Sequence, residues 1–182
     1  MQKINALDPA TTTGKSKDLF KAIQGKLGMV PNMMRTMGNS PAVLNGYLSF
    51  SGALASSSVG AKLGELIALT VANANICDYC NAAHTFIGEK LVGIDATTLE
   101  LAKEGRSDDA KTQSALTFAK TLVTKKGKVS DADINAVKNA GYDDAAIAEI
   151  IAHVALNIFT NYFNNTANTT VDFPKTRLAT AA

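Results

Sequence analysis

The chain has 182 residues, of which 46% are hydrophobic and 19% charged, with two cysteines and no tryptophan. That hydrophobic share excludes wholesale disorder, and the length lets one domain bury a core without disulfide staples. Eighteen basic residues against sixteen acidic ones leave a formal charge of +2. This is too balanced to draw nucleic acid or a membrane surface by long-range field.

Apolar spacing is helical nearly throughout, and no segment alternates apolar and polar residues for long. The first 20 residues lack the continuous apolar stretch of a secretory signal, so a cytoplasmic location is expected. Residues 5–15 read as a loop. Residues 17–27 form an amphipathic helix, with Leu19, Phe20, Ile23 and Leu27 on one side and Gly28 as its stop. Val30 and Pro31 open a short helical turn through Met37, ended by Gly38. Ser40 as N-cap and Pro41 as first helical residue start a helix to about Ala55. The helix over 61–75 carries no charge from Leu66 onward, which places it centrally. A short connection at Asn75 and Ile76 leads to a helix from Cys77 to Leu91, stopped by Gly93. Asp95 caps a short helix ending at Gly105, and Asp108 opens a longer one through Lys125. Ser130 caps the next, ended by Gly141, and Asp143 starts the last, which reaches about Asn165. The expected architecture is all-α, one domain of eight or nine helices.

Residues 150–171 are long and apolar enough to span a bilayer, but they include His153, Asn157, Asn161, Asn164 and Asn165. Burying those groups in lipid is costly, so the segment reads as a core or interface helix. With the weakly charged 36–61 region, it offers apolar surface that predicts a homo-oligomer.

The chemistry concentrates in Cys77, Cys80 and His84, written Cys-Asp-Tyr-Cys-Asn-Ala-Ala-His. On a helix these three positions fall within about 60° of one another, so both sulfurs and the imidazole share one stripe. A helix start favours thiolate, and thiolate is the species that attacks a peroxide oxygen or a disulfide sulfur. A second thiol one turn away can resolve a sulfenic acid to a disulfide. Position favours Cys77 as the nucleophile, being nearer the helix start and the solvent; His84 at i+4 favours Cys80. Two rival readings use the same residues. The cysteines could simply pack, or Cys77, Cys80, His84 and His153 could hold structural zinc. A thioredoxin-type motif requires a βαβ frame that this sequence lacks.

Glu65 is the only acidic residue between Phe50 and Asp78. Lys62 could pair with it on a solvated face. A tight hairpin at Asn75–Ile76 would instead bring its helix beside the cysteine helix, where a carboxylate could take or give protons.

Glu65, Cys77, Cys80 and His84, in this order and spacing, closely resemble the alkylhydroperoxidase D and carboxymuconolactone decarboxylase-like superfamily. The Val30-Pro31-Asn32 start, the Ser40-Pro41-Ala42-Val43-Leu44 opening and the Ala152-His153-Val154-Ala155-Leu156-Asn157 segment resemble its peroxidase-related branch. The resemblance covers roughly 27–173. It implies an all-helical bundle over 16–172, flanked by an N-terminal arm, 1–15, and a tail, 173–182. It also implies a dimer, trimer or hexamer that reduces hydroperoxides with no bound cofactor or metal. An external thiol or disulfide reductant would regenerate it. Carried over by position, Cys80 is the peroxidatic thiolate, Cys77 the resolving thiol, and His84 with Glu65 the proton relay. Some members have a histidine immediately before the second cysteine; here that position is Tyr79, which bears on efficiency and pH profile. Decarboxylase members lack the cysteine pair, so lactone decarboxylation is not expected. The alternatives are a disulfide oxidoreductase without significant peroxidase activity and a non-catalytic zinc-binding or structural oligomer.

Other signals carry less. The run from Pro9 to Ser16 misses the phosphate-loop pattern at its first glycine. Met29, Met33, Met34 and Met37 read as adaptable packing or a pocket wall. His153, Asn157 and Asn161 read as a polar seam, with a pocket-lining His153 as the alternative.

Overall fold

The structure, a computed structural model, describes residues 1–179, so residues 180–182 of the expected tail lie outside the described residues. Among the described residues there are nine α-helices and no strand. They are α1 (Gly14–Leu27), α2 (Asn32–Met37), α3 (Pro41–Leu54), α4 (Gly60–Ala74) and α5 (Asp78–Ile87), followed by α6 (Ala96–Lys103), α7 (Ala110–Thr124), α8 (Asp131–Asn139) and α9 (Asp144–Ala167). The fold class is all-α, as the apolar periodicity requires.

The helix starts follow local chemistry. Ser40 Oγ accepts the Val43 N–H, Asp95 accepts that of Thr98, and Ser130 with Asp133 makes a reciprocal capping box. Three boundaries differ clearly from expectation, the first being α1, which starts at Gly14 inside the expected 5–15 loop. The cap of α7 is Asp109, not Asp108, because the Asp109 carboxylate is the one that accepts the Thr112 N–H. The expected helix to Leu91 is α up to Ile87 and continues as a π-helical turn, Gly88–Val92. A Cβ at Gly88 would stand 2.7 Å from the buried Leu99 side chain, so the close approach of α6 needs a glycine there.

α4 is the central helix, buried from Leu66 to Ala72. One side packs Leu66, Ile67 and Leu69 against α6, α7 and α9. Ala72 joins a second cluster with Phe20, Met33, Met37, Leu44, Cys77 and Cys80. The cysteines therefore sit in core, not on a surface loop. α9 is long and apolar enough to cross a membrane by length and composition. It instead buries Asn157, Asn161 and Asn164 among its neighbours in this bundle.

The α4–α5 connection is minimal. The Cys77 N–H donates to Ala72 O and the Ile76 N–H to Asn73 O, the paired bonds that close a helix around one left-handed residue. That residue is Ile76, at φ 52°, with its side chain 71% exposed. A β-branched residue is strained in this region, where glycine is not. Ile76→Gly should therefore raise unfolding stability by about 1 kcal/mol, measured by urea denaturation. A loss of stability would mean that the exposed side chain, not the backbone, decides this position.

Candidate active site

Cys77 is the N-cap of α5, and its Sγ accepts the Cys80 N–H at 3.2 Å. The two cysteines form a disulfide, with their Cα atoms 5.3 Å apart. The expectation that Cys77 lies nearer the solvent is not met: it is fully buried in the second core. Cys80, although also buried, is the cysteine that lines a pocket of about 550 Å³. The burial comes from outside α5. The Tyr79 hydroxyl accepts the Met33 N–H from α2, and Phe173 from the C-terminal segment packs edge-on to Tyr79. Asn81 Nδ2 donates to Thr176 Oγ1 and Arg177 O, which pins that segment along the helix.

The tight hairpin sets Glu65 of α4 against His84 of α5. His84 Nδ1 and Glu65 Oε2 are 2.8 Å apart, with side chains 23% and 18% exposed. An ionised Glu65 accepts from Nδ1–H, which fixes the tautomer and leaves Nε2 as the basic nitrogen. Among the described residues Glu65 makes no ion pair with Lys62, which is exposed. Glu65, His84 and Cys80 all line the same pocket, and Cys77 does not. Tyr79 is the residue immediately before Cys80, in the place that the resemblance gives to a relay histidine in some members. Burial, reinforced by the nearby Asp172 charge, pushes its phenol far above the ordinary value, so it stays protonated.

His153, read first as part of a polar seam, reaches the pocket from α9 and lies 3.1 Å from Ser57 Oγ. Its imidazole packs on Gly64, where a Cβ would stand 3.1 Å from Cε1. Asn157 lines the pocket too, whereas Asn161 instead bonds Asn75. Asn164 was missed as a site residue. It is buried, with Nδ2 3.4 Å from Cys80 Sγ and 3.2 Å from Met33 Sδ. A search along α9 for the stripe 153, 157, 160, 164 would have found it, because these positions share one helical face. Among the described residues no three His, Cys, Asp or Glu side chains converge as a metal site.

No protein-family model and no curated protein matches the chain. Solved structures do. An uncharacterized peroxidase-related protein from Silicibacter sp. TM1040 is 25% identical, with a TM-score of 0.79 over 93% of this chain and 94% of that one. The alkylhydroperoxidase AhpD core of a peroxidase-related protein from Ralstonia eutropha JMP134 is 20% identical. It superposes with a TM-score of 0.84 over 94% and 92% of the two chains. The chain has the alkylhydroperoxidase D-like fold. The same fold is found in the debrominase Bmp8, at 22% identity and a TM-score of 0.74 over 87% and 86% of the chains. The alkylhydroperoxidase D-like fold thus carries peroxidase-related and debrominase proteins, and in this chain it carries a cysteine pair of which Cys80 lines the pocket.

Within this alkylhydroperoxidase D-like bundle, burial lowers the His153 pKa below its ordinary 6.5, against the opposing charges of Glu149 and Glu65. A folded-state value below the unfolded one means that the unfolded chain binds the proton more readily. The contribution to stability is then complete above the unfolded value and declines as pH falls from about 7 toward the folded value. Denaturation midpoints between pH 8 and 5 should fall on acidification. His153→Gln should flatten part of that slope; an unchanged slope would remove His153 from the account.

Proposed function

We propose that the protein is a thiol-dependent peroxidase that reduces organic hydroperoxides at Cys80. The observation that supports this best is that the Cys80 sulfur and the His84–Glu65 pair share one pocket while Cys77 is linked to Cys80 behind it. In the reduced enzyme, His84 Nε2 takes the Cys80 thiol proton and Glu65 stabilises the imidazolium through Nδ1–H. The thiolate attacks the terminal peroxide oxygen, the O–O bond breaks, and the leaving alkoxide recovers a proton from His84. Cys80 is then a sulfenic acid. Cys77 attacks its sulfur, the disulfide forms, and water leaves. The two thiols supply both electrons, and an external dithiol restores them. No bound cofactor is needed in this scheme.

One equivalent of peroxide should convert both thiols of the reduced protein to one intramolecular disulfide. Cys77→Ser should trap a sulfenic acid at Cys80, and Cys80→Ser should react far more slowly, both read by mass spectrometry. Rapid oxidation at Cys77 in the Cys80 variant would reverse the two roles. Unreactive thiols that still reduce a disulfide substrate would favour a plain disulfide oxidoreductase.

Glu65→Gln keeps shape and hydrogen bonding but removes titration. Peroxide turnover should fall about 10²–10⁴-fold, while the exposed Lys62→Ala leaves it unchanged. Near-normal turnover of Glu65→Gln from pH 6 to 9 would end the relay assignment.

A second reading is favoured by the pocket itself, which is roomier and more apolar than a peroxide group requires, with Met29, Met34, Phe86 and Leu156 in its walls. A variant of Bmp8 with alanine in place of a cysteine is solved with 2,3,4-tribromopyrrole. A thiolate at Cys80 could take bromine from such a ring as the ring carbon gains a proton. Attack by Cys77 would then release bromide and form the disulfide. Bromide release from a bromopyrrole by the reduced protein is the discriminating measurement. Assembly belongs to either reading: Phe50 on α3 and Phe159 and Tyr162 on α9 are exposed in the single chain, and sedimentation at micromolar concentration tests whether a homo-oligomer covers them.

A further inference from the structure

The two sulfurs are supported differently. Cys77 Sγ has a backbone donor, the Cys80 N–H at the start of α5. Cys80 cannot use that donor, because it is already spent on Cys77. The Asn164 amide, 84 positions along the chain, lies against Cys80 Sγ at 3.4 Å. The orientation of this amide follows from its neighbours. Met33 Sδ carries no hydrogen, and neither does a disulfide sulfur, so the edge facing them must be the NH₂ and not the carbonyl. The other edge pays for this: Asn164 Oδ1 is buried and has no hydrogen-bond partner. A buried amide with two weak sulfur acceptors and an orphaned carbonyl is poorly placed for stability, and an apolar side chain of similar shape would suit the site better. What makes the arrangement favourable is a change in one acceptor. On reduction, Cys80 can become a thiolate, and the weak contact then becomes a charge-assisted hydrogen bond.

We propose that Asn164 is a catalytic residue whose amide donates to the Cys80 thiolate, stabilising it and selecting Cys80 over Cys77 as the attacking sulfur. This rests on the reading that Cys80 is the reacting thiol. The same donor faces the sulfur throughout the cycle, weakly engaged in the disulfide and strongly in the thiolate. Asn164 thus does for Cys80 what the helix start does for Cys77. Other titratable groups also surround the pocket: Tyr47 on α3, Glu65 on α4, Tyr79 and His84 on α5, and His153 on α9. Asp172, in the C-terminal segment, acts on Tyr79. All of them remain in a variant altered only at Asn164, so a difference from the parent reports the amide.

The test uses the full-length chain carrying Cys77→Ser, in which Cys80 is the only thiol. The rate of alkylation by iodoacetamide, followed from pH 5 to 10, gives the thiol titration without recourse to any peroxide. Asn164→Leu should raise its midpoint by about one pH unit, the tenfold change expected when one charge-assisted bond is lost. Asn164→Asp, which keeps the shape but replaces the donor with a negative charge, should raise it further. Circular dichroism and thermal melts establish that each variant is folded, and the leucine variant should melt no lower than its parent. A midpoint unmoved in a folded Asn164→Leu protein would overturn the proposal and leave Asn164 a packing residue. Peroxide consumption by the same proteins with Cys77 restored separates the two claims. If the parent consumes none while the alkylation midpoint still shifts, the peroxidase reading fails and the role of Asn164 stands.

Discussion

Cys77 closes one helix and opens the next, and the site depends on that double duty. Its N–H completes the bonding that ends α4, at Ala72 O, while its sulfur caps α5 through the Cys80 N–H. With no spare residue between the two roles, the phase of α5 relative to α4 is fixed. Glu65 and His84, 19 positions apart, consequently meet at 2.8 Å. The left-handed Ile76 is the cost of so short a reversal, on the order of 1–2 kcal/mol. α9 braces the turn from outside: Asn75 Nδ2 donates to Asn161 Oδ1 and Asn165 Nδ2 to Asn75 O. The amides that argued against a membrane span are thus partly employed in holding the reversal.

Much of this was legible because it is local. Ser40 before Pro41, Asp95, Ser130 and Asp143 act within three residues of themselves, and the left-handed glycines at 28, 93 and 141 mark where helices stop. Adjacent Asp108 and Asp109 could not be told apart, since either satisfies the capping rule and only the backbone path selects one. The π-helical turn at Gly88–Val92 was also hidden, because one residue of extra winding leaves the apolar pattern almost unchanged. At the site, the spacing of Cys77, Cys80 and His84 was readable from helical geometry alone. The burial of Cys77 was not, because the cluster that encloses it draws on distant residues, among them Met33 of α2, 44 positions earlier, and Phe173 of the C-terminal segment. Asn164 escaped for a related reason. The polar residues of α9 at four-residue steps, His153, Asn157 and Asn161, drift off the pocket face toward the hairpin, whereas 153, 157, 160 and 164 keep to it.

The pocket combines few polar groups with a mostly apolar wall. His84 and Glu65 meet in its wall with side chains still partly exposed, and His153 stands on the α9 side with its ring held by Ser57 and Gly64. Tyr79 contributes a phenol that burial keeps protonated, so it can donate or accept a hydrogen bond but cannot replace a titrating histidine. On the proposed reading, proton movement therefore falls to the His84–Glu65 pair rather than to Tyr79.

On the proposed reading, the pocket also bears on the return half of the cycle. Cys77 is fully buried and absent from the pocket wall, while Cys80 forms part of it. A thiol that re-reduces the pair by this route meets the Cys80 sulfur, and the sulfur that leaves is that of Cys77. A leaving thiolate departs faster when its charge is stabilised. Cys77 sits where the first N–H groups of α5 are directed, so the helix start that does little for attack at Cys80 is well placed to receive the charge released at Cys77. On the proposed reading, the two halves of the cycle then draw on different donors: the Asn164 amide serves the sulfur that attacks, and the α5 backbone serves the sulfur that is expelled.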